Sequence, residues 1–419
     1  MKPSCSWLPR NSSLFAPFAI ALLPLLPTYA AGSIDAEKYG QSMGYPLASN
    51  EFLSQRDEYI VAEYSGQRFE DGKRHPNFNN EFHWVRAATS RLEIPVTSVK
   101  WPSSRDPADW MSRHAVLAVV VYKEGKIIFE KYQYDRHRNN RFAGESMTKT
   151  LTAMAVGLAV DEGKLDIDQP VSTYLPELVG TALGKVSVRN HLKMASGSSF
   201  VWDSKGDART YYLNKFASVT CGMDQCGRDI KDVWRGATTS GDQGIRFNYD
   251  PQSSDILSGV LQTIYGQRLA KVWEKKVWTK IGAERDAFWR GVRNTPITSG
   301  ANFFFATSHD WIKLAKLWIE PNAVVSNDWL NQMIIDSLPT ANHPQSRWGR
   351  SSPDRYGYQL WIRTGRWIAM AGYRGQKLFI DRASKTAMFV SSLEGSWTDE
   401  GVTWFEWVSK QSSDSLKRE

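Results

Sequence analysis

Cysteine is scarce in this 419-residue chain: there are three, and Cys5 lies in a leader-like segment. A framework of several disulfides is therefore excluded. Cys221 and Cys226 could close one small loop after export or remain as two free thiols, and a C-x4-C pair by itself is a poor metal site. Histidine is sparse too. The seven present show no H-x-x-x-H or H-E-x-x-H spacing, so no metal is expected. No apolar run reaches the roughly 20 residues of a membrane-spanning helix. Leu14 to Leu26 comes nearest, and Pro17 and Pro24 interrupt it. A stripe of positive charge is also missing. The 52 Lys and Arg and 44 Asp and Glu are scattered, for a net charge of +8, which gives no support to nucleic acid as a partner. There is no internal repeat and no low-complexity segment.

What is present begins with a basic head, Lys2 and Arg10, then the short apolar run and the small residues of Thr28-Tyr29-Ala30. This is the anatomy of a secretory signal peptide over residues 1–30. The expectation is export, to the periplasm or the medium, with no stable membrane anchor. Residues 31–105 are polar, aromatic-rich and weakly periodic, and read as an extension that wraps a catalytic domain at 106–411. A polar tail, 412–419, ends the chain.

From Ala115 the pattern sharpens. Val116 to Tyr122 and Ile127 to Tyr132 are apolar, β-rich runs around Lys123-Glu-Gly-Lys126, which predicts a hairpin. Leu151, Met154, Ala155 and Leu158 fall at i, i+3, i+4 and i+7, predicting a helix from Ser146 to Glu162 that Gly163 stops. Residues 165–345 read as a mainly helical region. Strand character returns at Tyr358–Ile362, Lys377–Ile380 and Ala387–Ser391, and an amphipathic helix follows from about Asp399. Strands at both ends with helices between them predict an α/β fold, with one antiparallel sheet drawn from both halves of the chain.

Ser146-Met-Thr-Lys149 is an S-x-x-K at the start of the predicted helix. Residues three apart share a helical face, so the amine can reach the hydroxyl. Helix-start N–H groups favour an oxyanion there. A serine hydroxyl is a weak nucleophile until a base takes its proton, and a desolvated lysine can do so. Alone the pattern reads equally as a serine cap beside an exposed lysine. About a hundred residues on, Arg246-Phe-Asn-Tyr249-Asp-Pro-Gln-Ser-Ser-Asp255-Ile-Leu offers a phenol able to carry a proton to a leaving group. Two other serine chemistries compete. Gly40-Gln-Ser42-Met-Gly44 spells the G-x-S-x-G elbow, but polar residues precede it where a buried strand is required. A Ser-His-Asp triad would draw on His191, His309 or His343, with Asp203, Asp255 or Asp310 as the acid.

These elements, in this order, resemble the β-lactamase-related serine hydrolases, a group that includes class C β-lactamases, D-alanyl-D-alanine carboxypeptidases, esterases and 6-aminohexanoate-dimer hydrolases. Ser146-x-x-Lys149 is similar to the nucleophile motif. Ser187-Val188-Arg-Asn-His-Leu192-Lys-Met194-Ala-Ser196-Gly197 resembles a T-V-x-x-L-L-x-M-x-S-G stretch. Phe247-Asn-Tyr249 with Asp255-Ile-Leu257, Tyr356-Gly-Tyr-Gln359 and Gly372-Tyr-Arg-Gly375-Gln376 resemble the 6-aminohexanoate-dimer hydrolase branch. The likeness implies that Ser146 is acylated while Lys149 and Tyr249 move protons. It implies an oxyanion hole at the backbone N–H groups of Ser146 and Tyr373, and a small-molecule ester or linear amide as substrate. No cofactor is implied. Arg374 and Gln376 are expected to meet the substrate. Two departures count against antibiotic or envelope substrates. Pro251 stands where class C enzymes carry the Asn of Tyr-x-Asn, and no Lys-Thr-Gly precedes the last core strands. A carboxypeptidase or β-lactamase, and a catalytically silent binding protein on the same fold, are the alternatives.

Overall fold

The structure is a computed structural model that describes residues 37–43, 61, 64, 82–200, 230–292, 295–340, 343–412 and 416. These fall within one unit, Ser33–Glu419. The leader, most of the extension before residue 82, Asp203, Cys221 and Cys226 lie outside the described residues.

Twelve strands are described: β1 (Phe82–Val85), β2 (Val116–Lys123), β3 (Lys126–Tyr132), β4 (Arg141–Ala143), β5 (Ala287–Arg290), β6 (Phe304–Thr307), β7 (Leu338–Pro339), β8 (Arg355–Tyr356), β9 (Trp361–Arg363), β10 (Trp367–Ala371), β11 (Lys377–Asp381) and β12 (Thr386–Ser392). The helices that matter here are α1 (Pro107–Arg113), α2 (Thr148–Asp161), α3 (Val188–Leu192), α4 (Ile230–Arg235), α5 (Pro251–Tyr265), α6 (Leu269–Trp273), α7 (Ser308–Ile319), α8 (Asn327–Ile335) and α9 (Thr398–Lys410).

The main sheet has eight strands in the order β3-β2-β12-β11-β10-β9-β8-β7, every pair antiparallel. It begins with the hairpin expected from the sequence. Glu124 and Gly125 both adopt positive φ, 47° and 95°, as a tight turn joining twisted strands requires. All eight residues of β2 are buried because both faces of the sheet are covered. Ala118, Val120 and Tyr122 join one core with α2, α5 and α7, whereas Val119 and Val121 join a second core with α1 and α9. A strand packed on both sides reads as an unbroken apolar run.

Two expectations need correction. There is not one sheet but two, since the mainly helical stretch 165–345 also supplies β5 and β6 to a second, four-stranded sheet ordered β1-β5-β6-β4. β5 and β6 are four residues each and buried throughout, too short and too dry to show alternation. The strand expected at Tyr358–Ile362 starts later, at Trp361. Gln359 is left-handed, φ 55°, and its amide donates to the carbonyls of His191 and Leu192 at 2.9 and 3.1 Å, which turns the chain out of the ladder. β10 was not foreseen, its Ala and Met being weak strand formers.

Candidate active site

Ser146 stands where the small sheet meets the large one. β4 pairs with β6 through Ala143 and Phe305, and Gly144 N donates to Phe304 O at 2.8 Å. Glu145 follows with φ 47°, a costly conformation for a side-chain-bearing residue. A 3-10 turn, Glu145–Met147, leads into α2. Thr148 Oγ1 accepts from Phe304 N at 3.0 Å and locks the helix start to β6. The turn leaves Ser146 half-buried, open to a reactant on one side.

Lys149 lies one turn on and is 1% exposed. Its Nζ is 2.8 Å from Ser146 Oγ and 2.8 Å from Ala301 O. Burial drives its ammonium down from the usual lysine range to about 7, with the carboxylates of Asp255, Glu145 and Asp250 resisting that fall. Near neutral pH the amine can therefore take a proton from the hydroxyl beside it.

Tyr249 comes from the other side. Asp250 caps α5 by accepting from Gln252 N at 3.0 Å, with Pro251 in the first helical turn, and this fixes the residue just before the cap. The Tyr249 ring stacks on Trp361 at 5.5 Å and meets Tyr356 edge-on at 5.9 Å. Its phenol faces the Ser146 side chain, and burial pushes the phenol well above its ordinary value. It stays protonated at neutral pH and is suited to donate. Lys149 Nζ lies 5.2 Å from the Tyr249 ring centroid, so the three side chains form one cluster.

A fourth group was not anticipated. Ser146 Oγ donates to Asn302 Oδ1 at 3.1 Å. Position 251, where Tyr-x-Asn would place an amide, holds proline, and an amide reaches the serine from Asn302 instead. The signal for it was faint: Ser299-Gly-Ala-Asn302 is a run of turn-forming residues and nothing more.

Gly372 ends β10 against the nucleophile segment. A Cβ on it would lie 2.4 Å from Gly144 O and 2.8 Å from Glu145 Cβ, so only glycine allows this approach. The Gly372–Tyr373 peptide is thereby set beside the Ser146 segment, while the Tyr373 side chain is largely exposed. Arg374 donates from Nη1 to Leu393 O at 3.2 Å and lies 5.7 Å from the Tyr373 ring. Gln376 requires correction as a substrate contact. It is fully buried, its Nε2 donates to Ser392 O, and its Oε1 accepts from Ser391 Oγ at 2.9 Å and Ser392 N at 3.1 Å. It braces β12.

Among the described residues the competing serine chemistries find no geometry. Ser42 is exposed in a short 3-10 turn and bonds to Glu37. Among the described residues no histidine bonds to Ser146: His191 meets Ser253 at 3.1 Å and Leu183 O at 3.3 Å, and His309 meets Glu130 at 2.6 Å. Also among the described residues, no helix is long and apolar enough to cross a membrane, and no group of three or more His, Cys, Asp or Glu side chains could hold a metal.

Comparison with known proteins bears on this cluster. A family model described as Beta-lactamase matches residues 107–406. Over 304 residues the chain is 25% identical to the 6-aminohexanoate-dimer hydrolase of Paenarthrobacter ureafaciens, covering 67% of this chain and 73% of the relative. A solved Bacillus anthracis structure, provisionally described as a 6-aminohexanoate-dimer hydrolase, superposes with a TM-score of 0.69 at 19% identity, over 84% of this chain and 93% of its own. EstCE1, described as a hydrolase with promiscuous acyltransferase activity, gives 0.56 at 14% identity, over 71% and 94%. At such identities the two structures speak for the fold.

Proposed function

Since this chain belongs to the β-lactamase family and is a serine hydrolase, we propose that it cleaves an ester or a small linear amide through an acyl-enzyme on Ser146. The observation that carries this reading is the Lys149 amine, buried and 2.8 Å from the Ser146 hydroxyl oxygen, with the Tyr249 phenol facing the same side chain.

In the first half-reaction neutral Lys149 takes the Ser146 proton as Oγ bonds to the substrate carbonyl carbon. The carbonyl oxygen gains the negative charge and faces the N–H groups of Ser146 and Tyr373. One such donor is worth about 3 kcal/mol of transition-state stabilisation. As the carbonyl carbon–leaving group bond breaks, the Tyr249 phenol gives its proton to the departing alcohol or amine and is reprotonated from the Lys149 ammonium. In the second half-reaction water gives a proton to Lys149 and its oxygen bonds to the acyl carbon. The Ser146–acyl bond then breaks, and Ser146 Oγ takes its proton from the Lys149 ammonium, which returns to the neutral amine.

A small amide substrate is favoured by the curated relative matched over 67% of this chain, which is named a 6-aminohexanoate-dimer hydrolase. Export to the periplasm or the medium remains part of the proposal on the leader alone. A panel of p-nitrophenyl esters, linear amide dimers and a chromogenic cephalosporin tests the reading. Turnover of an ester or linear dimer, abolished in Ser146→Ala, is expected. Turnover of the cephalosporin alone would move the chain to antibiotic chemistry, and an undiminished Ser146→Ala would remove Ser146 from the reaction.

A further inference from the structure

Beneath the Ser146–Lys149 pair lies a buried carboxylate that the proton transfers above do not use. Asp255, in the second turn of α5, is 3% exposed. Its Oδ1 accepts three hydrogen bonds from one turn: Ser299 Oγ at 3.1 Å, Gly300 N at 2.9 Å and Ala301 N at 3.2 Å. The carbonyls of the same turn are taken as well. Ser258 Oγ donates to Thr298 O at 2.6 Å, Trp289 Nε1 to Ser299 O at 2.6 Å, and Thr152 Oγ1 to Gly300 O at 2.8 Å. A Cβ on Gly300 would lie 2.1 Å from Ser254 O, so the turn rests directly on the α5 backbone. The next two groups along it are Ala301 O, which accepts from Lys149 Nζ, and Asn302 Oδ1, which accepts from Ser146 Oγ.

We propose that Asp255 is the positioning residue of the catalytic pair: its carboxylate fixes the Ser299–Asn302 turn, which holds Lys149 and Ser146 through adjacent acceptors. The inference rests on the acyl-enzyme reading above. A carboxylate accepting two backbone N–H groups and a hydroxyl is held rigidly, and a displacement of about 1 Å at a nucleophile–base pair can cost on the order of 100-fold in rate. The charged and titratable groups facing Lys149 are Asp255, Glu145 and Asp250, with the Tyr249 ring alongside, and Asp255 gives the largest support to the ammonium.

The test uses the full chain and p-nitrophenyl acetate, following kcat/KM against pH in wild type, Asp255→Asn and Asp255→Glu. Asn keeps an acceptor for the turn and removes the charge. The acid limb is then expected to move down by about one unit, the low end of the effect of an adjoining opposite charge. Glu keeps the charge and displaces the carboxylate. Its acid limb should stay in place while kcat falls roughly 100-fold with little change in KM. An unmoved limb in Asp255→Asn, or wild-type kcat in Asp255→Glu, would overturn the proposal. Should circular dichroism show that Asp255→Asn is unfolded, Ser299→Ala decides instead. It removes one donor and no charge, so kcat must fall several-fold, and an unchanged kcat would overturn the proposal. Fluorophosphonate labelling separates the two readings. Wild type that is not labelled at Ser146 fails both, whereas a labelled wild type with an unmoved Asp255→Asn limb fails only this one.

Discussion

Replacing Lys149 with methionine separates chemistry from folding in one experiment. The substitution removes the base, the 2.8 Å contact to Ser146 and the 2.8 Å bond to Ala301 O, while a side chain of similar length fills the same apolar space. Loss of a positioned general base costs about 100- to 10,000-fold, or roughly 3–5 kcal/mol of barrier. The pH dependence should change with it. Wild-type kcat/KM on an activated ester should fall below pH about 7 as the Lys149 ammonium forms, about tenfold for each further unit. The variant should lack that limb. Stability should not follow activity. A lysine whose ammonium burial lowers from 10.5 to about 7 costs stability at every pH below 10.5, most fully below pH 7. Removing it offsets the two lost hydrogen bonds, each worth about 1 kcal/mol. The variant should therefore melt within a few degrees of wild type at pH 7. A folded variant with wild-type kcat/KM, or with the acid limb still in place, would refute the assignment of Lys149 as base.

Three further outcomes follow from the same geometry. Tyr249→Phe should lose more activity on amides than on p-nitrophenyl esters, because p-nitrophenolate leaves without a proton and an amine does not; parallel kcat/KM measurements showing equal losses would contradict the donor role. Gly372→Ala should abolish most ester turnover and lower Tm, since the added methyl must push the β10 end away from Gly144 O; unimpaired turnover would show that this approach is not needed for the oxyanion site. Lys377→Met should raise Tm at pH 6 and lose that advantage as pH rises towards 10.5. Lys377 is 5% exposed, burial lowers it to about 7, and its visible compensation is the Trp348 ring at 3.8 Å. The penalty of about 5 kcal/mol exceeds the roughly 2 kcal/mol such a cation–ring contact returns. An equal or lower Tm at pH 6 would contradict this.

What could be read from residues alone was whatever depends on local order. The β2–β3 hairpin, the helix after Ser146 and the three-residue step to Lys149 are short-range patterns, and they appear in the fold where the periodicity put them. Tyr249 was legible through the likeness of Phe247-Asn-Tyr249 and Asp255-Ile-Leu257 to the 6-aminohexanoate-dimer hydrolase branch. Asn302 and the role of Asp255 were not, because both depend on a turn that meets Ser146 across more than a hundred residues, and a Ser-Gly-Ala-Asn run carries no sign of what it faces. The four-stranded sheet was hidden for another reason: its strands are short, and β5 and β6 are buried throughout, so alternation never develops. Gln376 was expected at the substrate from the family likeness alone, whereas here it closes the end of β12.

Trapping the intermediate tests the centre of the account most directly. Wild-type protein quenched in acid during turnover of a slow p-nitrophenyl ester, then digested and mass-measured, should carry the acyl group on the peptide containing Ser146, and Ser146→Ala should carry none. Steady hydrolysis with an unmodified Ser146 peptide, or an acyl group on another residue such as Ser42, would contradict it.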